Sequence, residues 1–127
     1  MTEQPLDFRD RKFSLHLFWV SHGVLLLQSG LTQEHPSRID VLFMDVVWLS
    51  IPAWLNGLRI EECELSEALP LLPAYLRSEA EARRVYCLVV DGTRHFVVCG
   101  DLRTTEDQAG YFDDSALLPG LSMPRRL

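Results

Sequence analysis

The side chains best able to do chemistry are four histidines, His16, His22, His35 and His95, and three cysteines, Cys63, Cys87 and Cys99. A metal site or a Cys–His proton relay needs such residues a few positions apart on a helix or loop, or alternate on a strand. No such spacing joins two of the histidines or a histidine and a cysteine. His95 and Cys99 share a strand face but stand roughly 13 Å apart. Cys87 and Cys99 lie in apolar runs with no cationic neighbour or helix N-terminus to lower a thiol pKa, so they read as buried, reduced and structural. The chain carries no phosphate-binding loop, nucleophile elbow, HExxH or paired CxxC motif. No catalytic residue, cofactor or metal ligand is assigned on this basis, and the chain reads as leaning away from an enzyme.

The remaining candidates are groups that could meet a partner. Asp101, Glu106, Asp107, Asp113 and Asp114 crowd the end of the chain, and Glu61, Glu62, Glu64 and Glu67 form a second acidic stretch. Trp54 follows Pro52 and precedes Asn56-Gly57, a position from which an aromatic ring can anchor a partner. The formal net charge is -6, with 12 basic and 18 acidic residues. Such a balance disfavours nucleic acid, whose affinity comes largely from phosphate neutralisation, and suits a basic protein. The single lysine, Lys12, against many arginines hints at a bacterial genome. The polar start, MTEQPLDFRDRK, and the lack of any run of about 18 apolar residues point to a cytoplasmic chain that neither enters nor crosses a membrane.

The elements that must position these groups are mostly strands. Phe13 to Leu27 reads as a hairpin turning at His22-Gly23, with Val20 facing Leu25, Trp19 facing Leu26, and Phe18, Trp19, Val20, Leu25, Leu26 and Leu27 all buried. Arg38 to Ile51 is rich in β-branched and aromatic residues. A bulge near Asp45-Val46 would keep the acid out of the core. Asn56-Gly57 reads as a tight turn leading into Leu58–Cys63. Ser66 is a plausible helix cap, and one main helix is expected over Pro73 to Arg84. Val85–Val90 and His95–Leu102 form a last hairpin turning at Asp91-Gly92.

The expected fold is therefore a single α+β domain over 1–127. An antiparallel sheet of about six strands, in the order β-β-β-β-α-β-β, carries one main helix on one face, with loose arms at about 1–12 and 119–127. Both sheet faces are apolar and one helix covers only one of them. The uncovered face calls for curling, the arms or a second subunit, and a homodimer is expected. The expected function is a non-catalytic interaction module, of the immunity or antitoxin kind, that binds a basic partner. The alternative is a small-molecule binder or enzyme with a pocket between helix and sheet, lined by Trp48, Tyr75 and Leu76.

Overall fold

In the computed structural model the described residues are 5–108, 115 and 117. Asp113 and Asp114, and the arm expected at 119–127, lie outside them. The chain forms one antiparallel sheet of eight strands rather than six: β1 (Leu6–Trp19), β2 (Val24–Ser29), β3 (Arg38–Met44), β4 (Trp48–Ser50), β5 (Trp54–Cys63), β6 (Arg84–Val90), β7 (Thr93–Cys99) and β8 (Asp101–Asp107). They are ordered β4-β7-β6-β5-β1-β2-β3-β8. The expected main helix is absent as well, so the chain is a sheet protein and not α+β. Between β5 and β6 stand only α1 (Leu65–Ala68), a 3-10 turn at Ala74–Leu76 and α2 (Arg77–Glu81). Pro70 and Pro73 remove two backbone donors from this stretch, which keeps its helical turns short.

The sheet closes on itself. β3 is followed by β4 through 45–47, and β7 by β8 through Gly100. β3 pairs with β8 and β4 with β7. Two backbone hydrogen bonds carry that ladder around the corner, Gly100 N–H to the Met44 carbonyl at 2.9 Å and Val47 N–H to the Val98 carbonyl at 3.0 Å. The ring β1, β2, β3/β4, β7/β8, β6, β5 is complete because β5 pairs back to β1. A barrel interior results, filled by Phe13, Leu25, Leu27, Val41, Phe43, Leu55, Leu58, Leu88 and Val97 among others, with every strand contributing.

The corner itself has a local cause. Asp45 sits at φ +57°, a conformation that aspartate tolerates better than most residues. Its carboxylate turns outward, as a bulge there was expected to make it do. A Cβ on Gly100 would stand 2.9 Å from Asp45 Oδ2, so the glycine gives the carboxylate room to lie against the opposing chain. Arg83 clamps the same carboxylate, with Nε donating to Oδ2 at 3.0 Å and Nη2 to Oδ1 at 3.2 Å.

Several local expectations shift. The first hairpin turns through four residues, with a 3-10 turn at Val20–His22 and Gly23 at φ +60°. Its register is Trp19↔Val24 and Phe18↔Leu25, two residues from the expected pairing. A bulge between Leu15 and Leu17 moves Leu17 and Trp19 to the outer wall. Val20 therefore lies in the turn, 76% exposed, and Phe18 is exposed too, whereas Leu25, Leu26 and Leu27 are fully buried. Asn56-Gly57 is not a hairpin turn. β5 runs straight through it, with Gly57 at φ +81° opposite a bulge of β1 in which Arg9, Asp10 and Arg11 stand against that one residue. Ser66 lies inside α1, whose cap is Glu64 in a reciprocal box with Glu67. The segment 1–12, expected as a loose arm, enters β1 at Leu6.

The outer wall is covered in two places. The 64–83 segment lays Ala68, Leu72 and Ala80 over Val85, Cys87, Phe96 and Val98. On the other half, Leu117 packs against the cluster of Val24, Leu26 and Leu42. The chain thus covers part of its own outer wall, and less apolar surface calls for a second subunit than an open sheet would leave. Leu26→Ala is expected to cost about 2–5 kcal/mol, and Val20→Ala less than about 0.5 kcal/mol. Urea midpoints of the two variants check the difference.

Candidate functional site

β2 is six residues long and its neighbour β1 fourteen. Ser14 pairs with Gln28, so β2 ends just past that point, while β1 continues toward Leu6 along β5. The wall therefore has a gap beside Leu6–Lys12, and the loop 30–37 skirts it. Arg11 spans the upper end of the gap. Its Nε donates to Ser29 Oγ at 3.0 Å, Nη1 to Ser37 Oγ at 3.3 Å, and Nη2 to the Ser29 and Ser37 carbonyls at 3.4 and 2.6 Å. Arg11 is buried by these contacts.

Below Arg11 the gap opens as a cleft of about 580 Å³. Phe8 and Ile39 supply apolar surface. Asp7, Asp10 and Glu106 bring three carboxylates beside the Arg11 guanidinium, with His35 also lining the cleft. Glu106 accepts a hydrogen bond from the Ser37 hydroxyl. Asp7 is already paired with Arg9, whose guanidinium holds its carboxyl below the usual carboxylate range. Asp10 and Glu106 are then the carboxylates placed to receive an aliphatic stem that ends in a positive charge.

The expected partner residues do not gather into one surface. Glu106 alone among Asp101, Glu106 and Asp107 lines the cleft. Asp101 accepts from Arg103 Nε at 3.2 Å and from the Leu102 amide at 2.8 Å. Asp107 approaches Arg38 Nε at 3.9 Å on the outer wall. Trp54 is 77% exposed rather than packed in the core, the commoner fate of such a ring. It pairs with Ser14, which pairs with Gln28, which pairs with Asp40, which pairs with Thr105 of β8. That places Trp54 four strand spacings, about 19 Å along the wall, from the β8 acids. A cleft of about 460 Å³ does lie between the helical turns and the β5–β6 part of the sheet, but it is lined by residues such as Glu62, Glu67, Glu81 and Arg84 and not by Trp48, Tyr75 or Leu76; Trp48 and Leu76 pack into the outer cluster and Tyr75 is 81% exposed.

Sequence reasoning missed Asp7, Asp10 and Arg11 because 1–12 reads as an arm, and it named His35 without placing it beside them. The alternation of Leu6, Phe8 and charged residues was the available signal. It also missed a polar layer on the outer wall of β2 and β3. There Arg38 Nη2 donates to Asp40 Oδ2 at 3.2 Å and Gln28 Nε2 to Asp40 Oδ1 at 3.1 Å, all three side chains being buried. Among the described residues no group of three or more His, Cys, Asp or Glu side chains is arranged to hold a metal ion. Among them, too, no helix is long and apolar enough to cross a membrane. No protein-family model, curated protein or solved structure matches the chain.

Asp40→Ala removes the buried carboxylate to which Arg38 and Gln28 both donate, and is expected to cost about 1–3 kcal/mol in a denaturant titration.

Cys87 and Cys99 are buried, as their apolar runs implied, and all three thiols are free. Burial pushes the Cys63 and Cys99 thiols up to about 12 from an ordinary value of 9.0. A thiol held protonated in the folded state adds stability that is complete below pH 9.0 and is lost as pH rises toward about 12. The unfolding midpoint is accordingly expected to fall above pH 9.0, less steeply in Cys99→Ala. Iodoacetamide should label these thiols quickly in urea and slowly in the folded chain; equal rates would refute the shift.

Proposed function

We propose that the chain is a non-catalytic interaction module that binds a basic protein partner, in the manner of a cytosolic bacterial immunity or antitoxin protein. The observation that carries this reading is the cleft at the wall gap, where Asp7, Asp10 and Glu106 surround apolar surface from Phe8 and Ile39. The net charge of -6 gives the chain a long-range attraction for such a partner. The desolvated floor supplies contact area that an open acidic face lacks.

The test is affinity purification from the native host at low and high salt. A co-purifying basic protein, released by salt and lost with an Asp10→Asn, Glu106→Gln double variant, is the expected result. A tightly held neutral small molecule, unaffected by salt or by that variant, would refute the reading.

A further inference from the structure

We infer that two copies of this chain associate through an edge of the sheet, β8 pairing antiparallel with β8 of the second copy about a two-fold axis at Thr105. The inference stands independently of the basic-partner reading. β3 and β8 run together without a break in register, from Met44↔Asp101 to Arg38↔Asp107. β6, which flanks β7, begins at Arg84 opposite Cys99 and stops short of β8. β8 is the last strand of the sheet order, and among the described residues no strand lies on its other flank. The direction of its backbone groups follows from the ladder. Alternate residues of an antiparallel strand turn N–H and C=O toward a given neighbour. At the corner the Met44 carbonyl accepts from Gly100, and the Leu102 amide is taken by Asp101 Oδ1 at 2.8 Å instead of by β3. Asp101, Arg103, Thr105 and Asp107 therefore bond β3, while Leu102, Thr104 and Glu106 turn their backbone groups to the open flank.

Such an edge is a template for another strand. Its own charge pattern selects a second copy. A two-fold axis normal to the sheet sets one residue of β8 against itself. With the axis at Arg103 or Glu106, like charges meet at the centre. With the axis at Thr104, Asp101 faces Asp107. With the axis at Thr105, Arg103 of each copy faces Asp107 of the other, and Thr105 faces Thr105. Opposite charges and paired threonines are the cross-strand neighbours that stabilise a ladder. They also fall at the positions that bond β3, so across the new ladder they form the pairs whose side chains stand closest. Thr104 and Glu106 then exchange backbone hydrogen bonds with Glu106 and Thr104 of the second copy. Arg103 meets Asp101 at 3.2 Å with its side chain 60% exposed, which leaves it room to swing across. The Asp107 carboxylate, 3.9 Å from Arg38 Nε, comes to lie between that guanidinium and the second copy's Arg103.

A few backbone hydrogen bonds and exposed ion pairs make a small interface, so association is expected at about 0.1–1 mM protein. The test is sedimentation velocity of the full chain across that range, with amide spectra of the isotopically labelled chain at the same concentrations. A rise toward the dimer mass is the expected result, with concentration-dependent shifts and slowed hydrogen exchange centred on residues 102–107. Thr104→Pro removes a donor on the open flank and leaves the β3 ladder its own donors. Arg103→Glu turns both ion pairs into repulsions. Each is expected to weaken association about tenfold or more, with the urea midpoint unchanged. Should Thr104→Pro fail to fold, Arg103→Glu decides alone, because its side chain is exposed. A monomer mass at every concentration would overturn the inference. So would association whose shifts lie outside residues 102–107, or association that both variants leave intact. Loss in Thr104→Pro with none in Arg103→Glu would overturn the axis at Thr105.

Discussion

The fold depends on one corner. Eight apolar strands in an open sheet would leave two large hydrophobic faces, and the helical turns of this chain are too short to cover either. Bending the ladder at 45–47 against Gly100 makes one face an interior. That bend needs three unlike residues together. Asp45 accepts a left-handed backbone, Gly100 leaves room for its carboxylate, and Arg83 reaches across from the 64–83 segment to neutralise it. Arg83 also donates to the Glu79 carboxylate at 2.7 Å, so the cover over β6 and β7 and the corner of the barrel share one guanidinium. The ion pair is partly exposed and contributes modestly as a charge pair. Its geometric role is larger, because it fixes where the cover begins relative to the corner.

With the interior closed, the outer wall needs only patches of cover. Two small clusters suffice, one under the 64–83 segment and one beneath Leu117. The runs that read as apolar on both faces, such as Val85–Val90, are consistent with this. Leu88 faces the interior while Cys87 faces the outer cover. A two-sided apolar strand is therefore the mark of a covered barrel wall here, and a second subunit is not required to explain it.

The sequence carried the strands more clearly than their curvature. Periodicity separated the two faces of β2, β3, β5 and β6, because alternation is a local property, but it named the inward one only in β5. It could not show closure, which is decided by residues far apart: Asp45, Arg83 and Gly100 acquire meaning only when placed together. The hairpin register failed for a similar reason. One extra residue at His16 and a four-residue turn change which face each side chain occupies, and neither has a unique local signature. Asn56-Gly57 shows the same ambiguity, since a left-handed glycine can lie inside a strand opposite its neighbour's bulge as readily as in a turn. The site was least legible because half of it lies in residues 6–12. Their mixed charges resemble an arm, and their strand character comes from pairing with β5.

The unequal lengths of β1 and β2 connect the fold to its site. A barrel wall that loses a strand partway must either close over the gap or support its rim. Arg11 does the second. Its planar fork meets two serines and two carbonyls from the end of β2 and the start of β3, four contacts that the three rotatable donors of a lysine point charge would not hold in one plane. The side chain thus ties the strand ends where backbone pairing stops. Its charge is spent within the wall, and the carboxylates of Asp10 and Glu106 below it set the character of the opening. Structural support and binding chemistry are thereby divided between neighbouring residues of one strand, Arg11 turned into the wall and Asp10 toward the cleft.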